Sequence, residues 1–182
     1  GGSARAKSIL GDFYLDGRGV EQDKERALSL YRESAADGYL PAICSLGLCY
    51  ETGDGVAEDK VQAAECYRKA AEQDYAPAQC DLGLSYENGS GVEKDEARAA
   101  ECYLQAAEQD YAPAQTNLAV CLLNGTGAER SAEEAVGWLE KAVEQEFPRA
   151  QGILGDLLLT GNGVPEDKAR AVELYRAAAK GG

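Results

Sequence analysis

The sequence predicts an all-α protein built from five helix-turn-helix repeats of 36 residues, and two observations carry this prediction. The decapeptide AAEQDYAPAQ occurs at residues 70–79 and again at residues 106–115. Steps of 36 residues also connect a glycine in each fifth of the chain, at Gly17, Gly53, Gly89, Gly125 and Gly161. Return of the same residues at a fixed spacing is the signature of a stacked repeat array. We therefore expect a single array over residues 1–182, with units at about 5–40, 41–76, 77–112, 113–148 and 149–182.

The first helix of each unit is predicted from an apolar stripe. In the second unit Ala42, Leu46 and Tyr50 recur at four-residue spacing, with Gly47 beside them. This spacing places all four residues on one face of a helix, and Pro41 is a favoured residue for its first turn. We expect this face to pack in the core.

The second helix of each unit is predicted from a glycine that ends the first helix, a capping residue at its own start and a second apolar stripe. Gly53 can adopt the left-handed conformation that ends the first helix, and the Asp59 carboxylate can cap the next one. That helix is expected over about Lys60 to Gln73, and its buried residues are expected to be Ala63, Tyr67, Ala70 and Ala71. In the fourth unit Ser131 replaces the capping aspartate, and Glu134 completes a capping box.

The residues of the second unit resemble the Sel1-like repeat family, relatives of the tetratricopeptide repeats. The resemblance rests on LGLCYETGDGV at Leu46–Val56, on Asp59, on AAECYRKAAEQ at Ala63–Gln73, and on Ala78 and Gln79. It extends over all five units, although the fourth departs at Ala119, Leu122, Ala128, Ser131 and Leu139. The resemblance implies a right-handed α/α superhelix (solenoid) of antiparallel helix pairs with a concave face. It also implies a role as an adaptor or scaffold for other proteins.

Composition narrows the class of partner. The net charge is −14 and the sequence pI is about 4.4, so the chain repels phosphate backbones and anionic lipid. No run of 18 apolar residues is present, which argues against membrane insertion. The start, Gly-Gly-Ser, is typical of an added linker, and no signal segment follows it. We expect a protein partner with basic and apolar residues, no nucleic acid, and a monomeric chain of unknown compartment.

The sequence offers little for catalysis. It contains no histidine, which removes the commonest general base and metal ligand. No nucleophile-elbow, phosphate-loop or Ser-x-x-Lys motif occurs. The paired glycines of GDGV and GRGV recur in every unit and are interpreted as helix stops, not as phosphate loops. We expect no enzymatic activity, no catalytic residues, no cofactor and no metal site.

The six cysteines are expected to be free thiols. Equivalent positions in neighbouring repeats lie about 10 Å apart, beyond the reach of a disulfide. We call the set of equivalent positions in the five repeats, 36 residues apart, a column. Four cysteines lie in mostly apolar columns and are interpreted as core residues, namely Cys49, Cys66, Cys102 and Cys121. Free thiols favour a reducing compartment.

A row of aliphatic residues marks a candidate binding face on the first helices. The column of Leu48 is apolar in the three middle units, with Leu84 and Val120, and acidic at both ends, with Asp12 and Asp156. The resemblance to tetratricopeptide arrays places this side on the concave face. The neighbouring positions are expected to complete the face, with Cys44, Cys80 and Thr116 as its floor and Glu51, Asp81, Glu87, Asn117 and Leu123 beside the row. Packing between adjacent first helices would explain the aliphatic row equally well.

The sequence thus favours an interaction adaptor or scaffold that binds a polypeptide on the concave face. A structural spacer within a larger chain is the alternative. A hydrolase acting on cell-wall or lactam substrates is a third reading, kept because such activity has been attributed to members of the family.

Overall fold

The computed structural model describes residues 3–181, so the linker-like Gly1 and Gly2, and Gly182, lie outside the described residues. Over residues 3–181 the chain forms ten α-helices and no strand. The odd-numbered helices are the first of each repeat and are called A helices, and the even-numbered ones are called B helices. Their bounds are α1 Ala4–Asp16, α2 Lys24–Ala36, α3 Leu40–Thr52, α4 Lys60–Ala71, α5 Ala76–Asn88, α6 Glu96–Glu108, α7 Ala112–Asn124, α8 Ala132–Glu144, α9 Pro148–Thr160 and α10 Lys168–Gly181.

The helices fall into two compact units. The first, Gly1–Lys94, contains α1 to α5, and the second, Asp95–Gly182, contains α6 to α10. Within each unit every helix packs against the next one along the chain. One core cluster of the first unit is formed by Ala27, Leu28, Tyr31, Leu46 and Cys49. The all-α repeat architecture predicted from the 36-residue period is confirmed.

The predicted helix ends are largely confirmed. Gly53 follows α3 at φ 76°, and its N–H donates to the Cys49 carbonyl. The Asp59 carboxylate accepts from the Gln62 N–H at 3.0 Å and caps α4. This helix ends at Ala71 rather than Gln73, and the chain then turns through Asp74 in the left-handed region, at φ 59°. The turn provides the reversal needed for the next A helix.

The second glycine of each loop has a different role from the predicted helix stop. Gly91 lies in the loop after α5 at φ 71°, and a Cβ at this position would overlap the carbonyl oxygen of Lys60 at the start of α4. Gly127 has the same relation to Glu96 at the start of α6. The first glycine of each loop ends a helix, whereas Gly91 and Gly127 allow the loop backbone to touch the backbone of the preceding B helix.

The glycines of another column pack against tyrosine rings of the B helices. A Cβ on Gly47 would lie 2.6 Å from Cε1 of Tyr67, a core residue of α4. Gly11 has the same relation to Tyr31. These glycines lie inside A helices, where they allow a tyrosine ring to pack directly on the helix backbone. In the fourth unit the matching residues are Ala119 and Leu139, and both are fully buried. A larger residue on the A helix therefore accompanies a smaller one on the B helix.

The six cysteines are unpaired in the structure, in agreement with the spacing argument. Cys49 and Cys121 are buried in the core, as predicted, whereas Cys66 and Cys102 are half-buried at its edge. Burial raises the pKa of the Cys49 and Cys102 thiols to about 11. Because the thiolate is the reactive form, these thiols are poor nucleophiles at neutral pH.

Candidate functional site

The candidate binding face of the first unit combines exposed leucines with carboxylates. Leu48 on α3 and Leu84 on α5 expose 50% and 40% of their surface. Glu51 and Asp81 lie on the same two helices and are half-buried. The Glu51 carboxylate accepts a hydrogen bond from the Tyr67 hydroxyl at 2.8 Å. Burial and Glu51 raise the pKa of that hydroxyl, and the charge of Asp81 adds to them, so both carboxylates lie near Tyr67. We call Leu48, Glu51, Asp81 and Leu84 the A-helix face.

Three residues predicted to line the face are buried. Cys80 exposes 4% of its surface and Thr116 none, and the Thr116 hydroxyl donates to the Ala112 carbonyl of its own helix. Asn117 exposes 8%, and its side-chain oxygen accepts from the Arg149 guanidinium. These three side chains are therefore not available to a ligand. A helical wheel shows which side of a helix a residue occupies, but not how far a neighbouring helix covers that side.

The acidic residues at the edges of the predicted face are hydrogen-bonded to tyrosines. The Tyr31 hydroxyl donates to Asp12 at 2.7 Å, and the Tyr175 hydroxyl donates to Asp156 at 2.6 Å. Burial and the Asp12 carboxylate raise the pKa of Tyr31, and the hydrogen bond to Asp156 raises the pKa of Tyr175. Each carboxylate accepts one phenol and keeps further lone pairs for another donor.

This pairing was not predicted, although the sequence contains its signal. Every repeat with tyrosine in the Tyr31 column also has one acid in the column of Asp12 or in the column of Glu51. The fourth repeat has Leu139 in place of the tyrosine, and Val120 and Leu123 in the two acidic columns. The phenol and the acid are thus lost together. The acidic columns therefore have a structural role besides any contact with a ligand.

Asp81 differs from these acids because its side chain accepts no hydrogen bond among the described residues. Burial and the nearby charge of Glu51 raise its pKa from 3.8 to about 6. Cys44, Tyr67 and Tyr75 also lie close enough to interact with it electrostatically, and none of them is a cation. The carboxylate is therefore partly desolvated and has no neutralising partner in the first unit.

A pH-dependent stability follows from this environment. The folded chain protonates Asp81 near pH 6, whereas the unfolded chain does so near 3.8, so this group contributes more stability as the pH falls from 7 to 4. We expect Asp81→Asn to raise the free energy of unfolding by about 2 kcal/mol at pH 7.5 and to change it little at pH 4. Urea unfolding at both pH values measures the difference. Glu65→Gln, on the exposed side of α4, is the control and is expected to be neutral at both. A destabilised Asp81→Asn at pH 7.5 would contradict this account.

The corresponding positions in the second unit are less acidic. Val120 and Leu123 are half-buried on α7, and Asp156 is exposed on α9. The fourth repeat therefore presents two aliphatic residues where the second presents one leucine and one glutamate. Of the remaining residues predicted for the site, Asp12, Cys44 and Glu87 are half-buried in the first unit.

Residues 3–181 contain neither a metal-binding cluster nor a membrane-spanning helix. No group of three or more Cys, Asp or Glu side chains is placed to hold a metal ion in this part of the chain. None of the described helices is both long enough and apolar enough to cross a bilayer.

Comparison with known proteins identifies the repeat. The Sel1 repeat matches the chain five times, at residues 4–39, 40–75, 76–111, 112–147 and 148–182. A comparison with curated proteins finds no match. Among solved structures, a protective antigen of uropathogenic Escherichia coli displaying an SLR fold is 34% identical with a TM-score of 0.88. The match covers 99% of this chain but only 38% of the antigen.

Two further structures are similar. A Sel1 repeat protein from Oxalobacter formigenes is 33% identical with a TM-score of 0.84, over 98% of this chain and 74% of the other. Cysteine-rich protein B of Helicobacter pylori is 25% identical with a TM-score of 0.57, over 72% of this chain and 97% of the other. These matches confirm the resemblance read from the sequence and the all-α repeat fold of the solenoid class.

Proposed function

Because the chain belongs to the Sel1 repeat family, whose members generally mediate protein–protein interactions, we propose that it is an adaptor that binds a polypeptide on its A helices. The family is typically non-enzymatic, and the proposal assigns no catalysis to this chain. The site is the A-helix face of the first unit, the side predicted from the resemblance to be concave. The positions of Val120, Leu123 and Asp156 are proposed to contribute corresponding contacts in the second unit.

One observation carries the proposal: exposed leucines lie beside a carboxylate that has no cation opposite it. Solvated helix faces usually carry polar residues, so Leu48 and Leu84 at 50% and 40% exposure favour contact with apolar groups. Burial raises the pKa of Asp81 and no cation in the described part of the chain offsets its charge, and functional sites often keep such groups. A ligand lysine or arginine near Asp81 and Glu51 would neutralise both charges.

The class of ligand follows from this arrangement. A basic peptide with alternating apolar residues places aliphatic groups on the leucines and cations on the carboxylates. Its association rate is expected to fall with added salt because the chain carries a net charge of −14. The apolar contacts are expected to hold the dissociation rate nearly constant.

The test uses a defined peptide and two matched variants. Isothermal titration calorimetry measures binding of the acetylated amide Lys-Leu-Lys-Leu-Lys and of its Glu-Leu-Glu-Leu-Glu counterpart. We expect the basic peptide alone to bind, and Leu84→Ser to weaken it about tenfold, because an aliphatic contact of this size contributes about 1.4 kcal/mol. Val61→Ser removes an aliphatic side chain that is 54% exposed on α4, outside the face, and is expected to bind like the parent.

A structural spacer is the second candidate, and the tyrosine bonds of Asp12 and Asp156 favour it because they give these acids a role without a ligand. No binding of either peptide, or equal binding by the parent and Leu84→Ser, would reject the A-helix face. In the first case the spacer becomes the better account.

A further inference from the structure

The second unit contains an open cleft of about 680 Å³. It is bounded by α6, by the loop after α7 and by α8. Leu118 and Leu122 form buried parts of its wall, whereas Leu104 is 39% exposed. Trp138, the single tryptophan of the chain, is half-buried in the wall. None of the residues predicted for the peptide site lines this cleft.

The cleft lies where the fourth repeat departs from the others. Ala128 occupies a column that is valine in the other four repeats, and Leu122 occupies the column of Tyr14. In the first unit Val56 and Tyr14 both pack against the core cluster that includes Leu46. The fourth repeat alone combines the smaller residue in both columns. The fourth repeat therefore has shorter side chains in these two columns, at the place where its cleft lies against the preceding B helix.

The fourth repeat also places a large aromatic residue at this position. Trp138 stands in a column of leucine and cysteine. The Lys141 ammonium lies 4.0 Å from the centroid of its ring and does not line the cleft. A cation over one ring face helps to hold the indole in place. Tryptophan in a partly open apolar site is typical of residues that dominate binding energy at interfaces.

The polar rim of the cleft is acidic. Glu101, Glu129 and Glu134 line it together with a single cation, Arg130, which has no ion pair among the described residues. The rim thus carries three negative charges against one positive charge. This balance attracts a cation and repels an anion at the mouth of an apolar site.

We propose that this cleft binds a bulky apolar side chain of a partner polypeptide that carries lysine or arginine on either side of it. The volume lies within the range of about 300–1,000 Å³ that is typical of ligand sites. A phenylalanine side chain fills the space left by the shortened residues and contacts Trp138, Leu104 and Leu122. The flanking cations lie at Glu101, Glu129 and Glu134. This site recognises a short basic and aromatic segment independently of the A-helix face.

The test uses Trp138 as its own reporter. The acetylated amide Lys-Phe-Lys is titrated into the chain while tryptophan fluorescence is recorded, and calorimetry gives the stoichiometry. We expect a saturable change and binding at least tenfold tighter than that of Glu-Phe-Glu and of Lys-Ala-Lys. Equal affinity for the three peptides, or no response at millimolar peptide, would overturn the proposal.

Variants distinguish this cleft from other sites. Ala128→Val restores the residue of the other repeats, and we expect it to weaken Lys-Phe-Lys at least tenfold with an unchanged circular dichroism spectrum. Ala57→Val makes the same change at an exposed loop position of the first unit and is expected to bind like the parent. Glu129→Gln, at an exposed position, is expected to weaken binding severalfold without touching the apolar wall.

The outcomes also separate the two proposed sites. Leu84→Ser is expected to leave Lys-Phe-Lys binding unchanged, so loss of binding in that variant would show that the peptide lies on the A-helix face and would overturn the cleft proposal. Unchanged binding by both Ala128→Val and Glu129→Gln would overturn it as well.

Discussion

Replacement of Gly91 by alanine is expected to destabilise the chain by about 4 kcal/mol or more, a very large effect for one methyl group. A Cβ at this position overlaps the carbonyl oxygen of Lys60, and both groups belong to backbone that cannot rotate away. The residue also has φ 71°, a conformation that disfavours any side chain by about 1–2 kcal/mol. Relief would require the loop after α5 to move away from α4. Urea unfolding followed by circular dichroism measures the loss.

The matched control is Gly19→Ala. Gly19 occupies the same column at φ 74°, but a Cβ there meets nothing within 4 Å. This variant isolates the cost of the backbone conformation, which we expect to be about 1 kcal/mol. Equal losses in the two variants would show that the contact with Lys60 contributes nothing.

The second large effect is expected in the glycine and tyrosine pair of the second repeat. Gly47→Ala places a methyl group 2.6 Å from the buried Tyr67 ring and is expected to destabilise by about 2–3 kcal/mol. Tyr67→Leu removes core contacts and is expected to destabilise by a similar amount. In the double variant the methyl group occupies part of the space that the ring leaves. We therefore expect the double variant to be at least about 1.5 kcal/mol more stable than the sum of the two losses predicts.

A double-mutant cycle in urea measures this coupling. The fourth repeat already has the combination of alanine and leucine, at Ala119 and Leu139, and both residues are fully buried. If the losses of stability at Gly47 and Tyr67 are additive, the residue on the A helix does not depend on the one it faces on the B helix. The same cycle with Ala142→Gly, a buried position on α8 in the second unit, provides the additive reference.

The features that could be predicted from the sequence are those set by local chemistry. Gly53 ends α3 because a left-handed residue is needed there. Asp59 caps α4 because its carboxylate accepts a hydrogen bond from the free Gln62 N–H in the first turn of that helix. Such signals depend on a few neighbouring residues, and the 36-residue period repeats them five times. The exposure of Leu48 and Leu84 was also predictable from the helical wheel.

The features that could not be predicted depend on contacts between distant residues. The sequence placed Asp12 at one end of the aliphatic row, but the hydrogen bond from Tyr31 can be inferred only by comparing the acids and tyrosines of all five repeats. The wheel assigned Thr116 to the same side as Val120, yet the packing of the second unit buries it completely. The cleft beside Trp138 results from a shortened side chain at Ala128, which is significant only when it is compared with the other repeats.

The close approach of Gly91 to Lys60 and of Gly127 to Glu96 also limits where residues can be inserted in the chain. Insertions are commonly expected in a loop such as the one from an A helix to its B helix. Here, however, the backbone of that loop contacts the preceding B helix. An added residue in it would push that contact apart. The turn from a B helix to the next A helix is fixed as well, since Asp74 lies at φ 59° and its carboxylate accepts a hydrogen bond from the Gln79 side chain at 3.2 Å. Tags, labels and natural insertions would disturb a defined contact in either connection, which accounts for the constant 36-residue spacing of the repeats.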